Sequence, residues 1–249
     1  MMREYTVKKY WDHVHNKKRL MVISGKNEIV QLLNKYIPIA KEGQACFEIG
    51  CCPCGFLSYV GIKKKYIING IDYSEGINER MQKWLESLPL QIGKVERGDF
   101  FKNRPVDKYD FVYSFGFIEH FKDYQKVILM HDRYVKQGGY LMITTPNFRG
   151  GVQYMLHKWL DNQNLKRHNV DSMRPEKWKQ LLEDKDYEIL YCGYVGGFSF
   201  WIEDRLDSVL KKKSMDVINF VSERLSEKTV PSSQVYSPHC GIIARKRGN

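Results

Sequence analysis

The chain has 249 residues, of which 43% are hydrophobic and 28% are charged, and its formal net charge is +11 at pH 7. These values fit one α/β domain with a sizeable core and exclude a largely disordered chain. No apolar run approaches the ~18 residues that a membrane span needs, and the N-terminal sequence lacks the apolar centre of a signal peptide, so we expect a cytoplasmic protein with reduced thiols.

Short apolar runs alternate with helical patterns from about residue 25 onward. Strands are predicted at residues 45–49, 66–72, 94–98, 111–114, 140–145, 188–194 and 240–244. Helices are predicted at residues 25–37, 56–61, 77–88, 124–135, 175–183 and 203–226. The pair Gly138-Gly139 is expected to end the helix at 124–135. This alternation indicates βαβ units and a parallel sheet, with ligands bound at the carboxyl ends of the strands.

Basic residues occur in clusters along the chain. They are Lys8-Lys9, Lys17-Lys18-Arg19, Lys63-Lys64-Lys65, Lys211-Lys212-Lys213 and Arg245-Lys246-Arg247. Such clusters suit an anionic partner, for example nucleic acid, a phosphorylated substrate or a membrane surface. Solvated surface lysine is the simpler interpretation of each cluster alone, and the sequence does not show whether they share a face.

An acid, a turn of small residues and a helix follow one another at the end of the first predicted strand. Glu48 and Gly50 precede a run of small residues that ends at Gly55. The helix N-terminus offers unpaired backbone N–H groups, and small residues let a ligand approach them. Asp72 ends the second strand, where a carboxylate accepts hydrogen bonds from ribose hydroxyls. This combination predicts a site for an adenosine-type ligand.

The run Cys51-Cys52-Pro53-Cys54 within this turn has two other interpretations. The C-x-x-C spacing of Cys51 and Cys54 suits a metal ion, but a closed zinc site needs four ligands and no second C-x-x-C or H-x₃-H pattern occurs. The other interpretation is a redox or methyl-accepting thiol. We favour a cofactor turn built from small residues.

With these residues the chain resembles the class I S-adenosylmethionine-dependent methyltransferases, specifically the small-molecule branch that includes ubiquinone-biosynthesis-like and sugar-modifying enzymes. The resemblance is strongest from about residue 44 to residue 146. It rests on Glu48-Ile49-Gly50, Asp72, Gly98-Asp99-Phe100, the fourth-strand segment 110–120 and the fifth-strand segment 138–143. An NAD-dependent dehydrogenase is the competitor on the same fold, but it has no counterpart of Asp99 or of the pair Glu119-His120.

The resemblance implies a Rossmann-like three-layer α/β/α sandwich. Its seven-stranded, mostly parallel sheet would have the order 3-2-1-4-5-7-6 with an antiparallel last strand. Residues 1–40 would form an N-terminal helical lid, and residues 41–249 a methyltransferase domain with acceptor-side insertions at about 147–186 and 195–236. Aromatic residues of those insertions would shape the acceptor pocket or pack in the core; they are Tyr154, Trp159, Phe198, Phe200 and Trp201.

The cofactor implied by the resemblance is S-adenosylmethionine, with S-adenosylhomocysteine as its product. The residues expected to bind it are Tyr10, Trp11, Glu48, Gly50, Cys51, Cys52, Gly55, Asp72, Tyr73, Asp99, Phe100, Ser114, Phe115 and Gly116. Cysteine stands at positions 52 and 54, where the family usually has glycine or alanine and glycine, and this departure bears on the affinity for the cofactor.

Three residues are candidates for catalysis. His120 lies just past the fourth strand, and histidine is the commonest general base for an acceptor that must lose a proton. Glu119 precedes it, and the alternative role of this pair is to order the cofactor loop. His168 lies in the first insertion and could face the acceptor, with surface exposure as the simpler interpretation.

The activity expected from the resemblance is methyl transfer to a small-molecule acceptor, most plausibly the hydroxyl of a sugar or other metabolite. Two alternatives remain at this point. The +11 charge favours an RNA methyltransferase, although no appended RNA-binding module is visible, and the cysteines of the turn favour a non-catalytic cofactor-binding protein. No metal is expected, because Ser114 stands where catechol-type enzymes carry an acid.

Overall fold

The computed structural model describes residues 6–103, 107–203, 205–226 and 230–248. The strands are β1 (Ala45–Ile49), β2 (Ile67–Asp72), β3 (Ile92–Arg97), β4 (Tyr109–Phe115), β5 (Val135–Pro146), β6 (Tyr187–Val195) and β7 (His239–Lys246). The helices are α1 (Lys8–Lys17), α2 (Glu28–Tyr36), α3 (Gly55–Tyr59), α4 (Glu79–Glu86), α5 (Tyr124–His131), α6 (Gly151–Leu160), α7 (Asn162–Lys166), α8 (Pro175–Glu183) and α9 (Val209–Ser226).

The strands form one sheet of order β3-β2-β1-β4-β5-β7-β6. The pairs from β3 to β5 are parallel, and β7 runs antiparallel to both β5 and β6. The predicted order and the antiparallel last strand are therefore confirmed. The parallel strands are short apolar runs because helices cover both faces of the sheet.

Successive side chains of a strand point to opposite faces of the sheet, so each strand contributes residues to two separate hydrophobic cores. Phe47 and Ile49 of β1 pack with α5 and α8, whereas Cys46 packs on the opposite face with α2, α3 and α4. The two cores and the sheet between them make the three layers that were predicted.

The predicted helix at 124–135 is wrong in its second half. Helix α5 ends at His131, a 3₁₀ turn spans Asp132–Tyr134, and β5 already begins at Val135. The pair Gly138-Gly139 lies inside β5, and Gly138 has a φ of +74°. The glycines therefore allow an irregularity in the pairing of β4 with β5 and do not end the helix.

The first insertion contains two helices, α6 and α7, that the sequence pattern did not reveal. The face of α6 that is turned inward carries polar side chains, among them the buried Gln153 and His157. Gln153 donates to the carbonyls of Ser199 and Tyr236, both at 2.8 Å. Because these buried groups are polar, the segment lacks the apolar periodicity by which a helix is recognised.

Helix α9 lies within the predicted helix at 203–226, of which residue 204 is outside the described part. Its large apolar side chains Val209, Leu210, Val217 and Phe220 are exposed. Among the described residues, no helix combines the length and apolarity required to cross a bilayer.

The N-terminal segment divides into two parts. Ile29, Leu32 and Leu33 of α2 are buried in the core on one face of the sheet. Helix α1 lies outside that core, and its Asp12 accepts a hydrogen bond from the backbone N–H of Glu75 at 2.8 Å. The part of the predicted lid that is separate from the core is thus α1 with its flanking residues; residues 1–5 lie outside the described part.

Candidate active site

A cavity of about 310 Å³ opens at the carboxyl ends of β1, β2 and β4. This is the edge where a doubly wound sheet binds its ligand, and the volume is that of a small-molecule site. The cavity is lined by fifteen of the predicted site residues: Trp11, Glu48, Gly50, Cys51, Cys52, Gly55, Asp72, Tyr73, Asp99, Phe100, Phe115, Gly116, Glu119, His120 and His168.

The turn after β1 keeps its expected shape although it contains cysteine. Gly50 has a φ of +74°, and a methyl group added at its Cα would lie 2.7 Å from Cδ2 of Phe117. Cys54 adopts a left-handed conformation with a φ of 64°, at the position before α3. The cysteine at position 54, where the family usually has glycine, therefore adopts a backbone conformation that usually favours glycine, and the turn is kept.

The thiols of Cys51 and Cys52 in this turn are poorly suited to reaction. Cys51 is 2% exposed, and its hydrogen bond with Cys54 together with burial raises the pKa of its thiol. Burial also raises the pKa of Cys52. A protonated, buried thiol is a poor nucleophile and a poor metal ligand, and this supports the interpretation of these residues as small members of a turn.

The Asp72 carboxylate joins the two strand ends that flank the cavity. It accepts hydrogen bonds from the backbone N–H of Cys52 at 3.0 Å and of Ser74 at 2.8 Å. Burial raises its pKa to about 6. Those two N–H groups leave further lone pairs of the carboxylate for a ligand in the cavity.

We expect the affinity for S-adenosylhomocysteine to fall about tenfold between pH 7.5 and pH 5. The raised pKa means that the Asp72 carboxylate is ionised above pH 6 and protonated below it, so about one-tenth of the sites carry the charged acceptor at pH 5. Titration calorimetry across this range measures the effect. Asp72→Asn should remove most of this pH dependence, and a wild-type affinity independent of pH would contradict the prediction.

Glu48 presents a buried carboxyl group beside Asp72. It is 4% exposed, and among the described residues its Oε2 atom has no hydrogen-bond partner. Burial raises its pKa well above the ordinary range. A buried acid without a partner is costly, and a cationic group of a ligand would remove this cost by pairing with it.

Aromatic rings form one wall of the cavity near Asp99, which follows β3. Phe100 and Phe117 meet edge to face at 5.8 Å, and Phe117 and Phe121 lie 5.1 Å apart. The Asp99 side chain is 39% exposed and accepts from the N–H of Phe101 at 2.9 Å. This wall suits a flat apolar ring with a polar group at its edge.

Helix α1 closes one side of the cavity with its aromatic residues. The ring of Trp11 lies 4.8 Å from that of His120, edge to face. The Tyr10 hydroxyl donates to Glu203 at 2.5 Å, and the Arg167 guanidinium lies 4.6 Å from the centre of the Tyr10 ring. Tyr10 therefore fastens α1 to the two insertions from outside the cavity.

Glu119, His120 and His168 come together at the end of the cavity beneath α1. Glu119 and His120 belong to a 3₁₀ turn after β4, and His168 follows α7. The two imidazole centroids are 4.7 Å apart, and Nε2 of His120 lies 4.0 Å from Oε1 of Glu119. Burial lowers the pKa of His168 to about 4 and that of His120 well below its ordinary value. Both imidazoles are therefore neutral near pH 7.

The structure corrects several expectations about the site. Ser114 is buried in β4 and lies 2.9 Å from Nε2 of His131, so it does not line the cavity. His168 lines the cavity and is not a surface residue. None of the aromatic residues that were expected to form the acceptor pocket lines this cavity; they are Tyr154, Trp159, Phe198, Phe200 and Trp201.

Twelve further residues that line the cavity were not among the expected site residues. They are Thr6, His15, Lys18, Pro53, Phe56, Ile71, Gly98, Phe101, Phe117, Phe121, Pro146 and Glu203. Phe117 lies within the fourth-strand segment and could have been inferred from it. His15 stands one helical turn after Trp11 and could have been inferred from that spacing. Glu203 reaches the cavity from a distant insertion, and no local pattern indicates it.

Residues 15–191 match a family model described as a methyltransferase domain. No curated protein matches the sequence. Among solved structures, an S-adenosylmethionine-dependent methyltransferase from Archaeoglobus fulgidus is similar, with 21% identity, a TM-score of 0.55, and coverage of 87% of this chain and 92% of that chain.

Two further structures show the breadth of this fold. The magnesium protoporphyrin IX methyltransferase from Synechocystis PCC 6803, with bound S-adenosylhomocysteine, has 14% identity and a TM-score of 0.55, covering 88% of this chain and 80% of that chain. The cyclase SpnF has 12% identity and a TM-score of 0.63, covering 100% of this chain and 97% of that chain. At these identities the structures establish the fold alone.

Proposed function

Because this chain belongs to the methyltransferase-domain family, we propose that it is a class I S-adenosylmethionine-dependent enzyme that methylates a hydroxyl group of a small-molecule acceptor, such as a sugar. One observation carries the proposal: a single cavity is lined both by Asp72, the acid proposed to bind ribose, and by the polar cluster of Glu119, His120 and His168.

Residues near the turn after β1 fit the cofactor. Asp72 offers carboxylate lone pairs to ribose hydroxyls, and the Oε2 atom of Glu48, which has no partner among the described residues, is available to the methionine ammonium group. A side chain at Gly50 would enter the space beside Phe117, another residue of the cavity lining. S-adenosylmethionine supplies an electrophilic methyl group when it is bound. The protein must hold this group and an acceptor in one geometry and exclude water.

The cluster of Glu119, His120 and His168 fits an acceptor hydroxyl. Two neutral imidazoles line the cavity, and the free lone pair of a neutral imidazole accepts a hydrogen bond from such a hydroxyl. The rings of Trp11, Phe117 and Phe121 also line the cavity. We propose that α1 with its flanking residues is the lid of this site, since Trp11 packs on His120 and Tyr10 contacts the two insertions.

The acceptor class is tested with S-adenosylmethionine that carries a deuterated methyl group. Panels of hydroxylated sugars, phenols and short RNAs are incubated with the enzyme, and mass spectrometry detects label in the acceptor together with S-adenosylhomocysteine. We expect labelled O-methyl products from the small molecules. Transfer to RNA, which the charge of +11 favours, would replace this proposal with the RNA alternative.

Cofactor binding without consumption of the methyl group on any panel would favour the non-catalytic alternative. The cyclase SpnF shares the fold, so the fold by itself does not select methyl transfer. A matched reaction with Asp72→Ala separates enzyme-dependent labelling from non-enzymatic methylation by the cofactor.

A further inference from the structure

Two separate segments hold the cluster of Glu119, His120 and His168 together through backbone contacts. The N–H of Asn169 donates to the carbonyl of Glu119 at 2.7 Å. The side-chain amide of Asn169 donates to the carbonyl of Phe121 at 3.0 Å. One potential ligand atom from each member of the cluster lies within 4.8 Å of the others. The three groups therefore converge because the backbone holds them there and not because they bond to one another.

Each imidazole of the cluster has its Nδ1 within hydrogen-bond distance of a backbone carbonyl, and the His120 ring also faces the carbonyl of Gly116. Nδ1 of His168 lies 2.7 Å from the carbonyl oxygen of Asn164. Nδ1 of His120 lies 3.3 Å from that of Arg167 and 3.2 Å from the hydroxyl of Thr6, which itself donates to the Arg167 carbonyl. A carbonyl oxygen only accepts, so we assign the proton to Nδ1 in both rings. Each Nε2 then carries the lone pair.

The third member of the cluster is an unsatisfied acid. Glu119 is 0% exposed, and among the described residues neither of its carboxylate oxygens has a hydrogen-bond partner. A buried polar group without a partner is rare, and it indicates a missing ion or ligand when several such groups converge.

We propose that Glu119, His120 and His168 bind one divalent cation of the first transition row through a carboxylate oxygen and two Nε2 atoms. Imidazole and carboxylate ligands suit such ions, whereas magnesium and calcium prefer sets of oxygen ligands. Metal-binding histidines usually donate their other N–H to a carbonyl or carboxylate, as both imidazoles do here. The sequence-based expectation of no metal rested on Ser114 and on the absence of partners for the C-x-x-C pair, whereas this cluster combines the turn after β4 with the segment after α7.

The cation site deepens the proposed function and rests on it. The three residues line the same cavity as Asp72, and three protein ligands leave coordination positions for an acceptor. An acceptor hydroxyl bound there would have a lowered pKa, would lose its proton to water and would become the nucleophile. Under this proposal the cation acidifies the acceptor, and the imidazoles bind the cation in place of accepting the proton.

The test uses Co²⁺ alone as the probe, added to full-length protein that has been dialysed against a chelator. Optical titration should show one site with nitrogen and oxygen ligands and without the charge-transfer band of a thiolate. Proton spectra of the cobalt complex in water should contain two shifted, exchangeable N–H signals, one from Nδ1 of each ligating imidazole. These measurements need neither turnover nor a variant.

Matched variants locate the site. Glu119→Gln and His168→Gln should weaken cobalt binding at least about tenfold, comparable to the loss expected for changes around a metal site. His13→Gln removes an exposed imidazole of α1 and should leave cobalt binding unchanged. The absence of saturable binding to the wild-type protein, with and without S-adenosylhomocysteine, would overturn the proposal. So would binding that persists in both cluster variants, or a thiolate band.

Two controls distinguish a failure of the cation site from a folding defect and from a failure of the proposed function. If the variants do not fold, as judged by thermal melting, the wild-type complex is the test. Two N–H signals would support the cation site, and their absence would overturn it. S-adenosylhomocysteine titration of the same samples tests the cofactor end of the cavity. Intact cofactor binding and methyl transfer without cobalt binding would remove the cation site and leave the proposed function standing.

Discussion

Replacing Asp72 with alanine should weaken the binding of S-adenosylhomocysteine by about a hundredfold or more. The proposed role of the carboxylate is to accept hydrogen bonds from two ribose hydroxyls. Hydrogen bonds to a charged group contribute about 1.5–3 kcal/mol each, so the loss is at least about 3 kcal/mol. The substitution also removes the acceptor that holds the N–H of Cys52 and of Ser74. Titration calorimetry measures the dissociation constant.

A graded series identifies the cause of this loss. Asp72→Asn keeps one acceptor oxygen without the charge, and its affinity should lie between those of the wild type and Asp72→Ala. Asp171→Ala removes a carboxylate whose side chain is 82% exposed and lies outside the cavity, so its affinity should equal that of the wild type. An unchanged dissociation constant in a folded Asp72→Ala protein would remove Asp72 from the site.

Replacing Gly50 with alanine should lower the free energy of unfolding by about 3 kcal/mol and abolish measurable cofactor binding. The φ of +74° costs an alanine about 1–2 kcal/mol, and overpacking a filled site costs about 1–3 kcal/mol. The new methyl group would lie 2.7 Å from Cδ2 of Phe117, so the ring or the turn must move. Urea unfolding measures the first effect and calorimetry measures the second.

Gly138 provides the matched control for this substitution. Its φ is also +74°, but no heavy atom lies within 4 Å of the position that a methyl group would take. Gly138→Ala should therefore cost about 1–2 kcal/mol, the backbone strain alone, and leave cofactor binding intact. Equal destabilisation of the two variants would show that contact with Phe117 plays no part. Truncation of Phe117 in the Gly50→Ala background should recover part of the lost stability if the contact is the cause.

Most of the sheet could be predicted from the sequence because its signals are local. Strand β1 and helix α8 have the predicted bounds, since an apolar run or a helix-starting proline marks each of them. The sheet order came from the family resemblance, and the structure confirms it. The segment at 124–135 was mistaken because a left-handed glycine inside a strand looks the same in sequence as one that ends a helix.

Which residues line the site depends on the directions of side chains and on distances between segments far apart in the chain, and a single sequence does not contain either. Ser114 and Phe115 are neighbours in β4, but successive side chains point to opposite faces, so Phe115 lines the cavity whereas Ser114 contacts His131. His168 looked like a surface residue because the helices before it are held by buried polar groups such as Gln153 and Asp161. Its place beside His120 depends on the backbone contact between Asn169 and Glu119.

The sequence by itself determined the strands, the turn after β1 and the acid at Asp72, because each is encoded by adjacent residues whose polarity and size define a local conformation. Only the tertiary structure decided which polar groups face one another, since that depends on how segments far apart in the chain pack. The cluster of Glu119, His120 and His168 is of this second kind. Its members lie up to 49 positions apart in the sequence and meet because the turn after β4 and the segment after α7 share a backbone hydrogen bond.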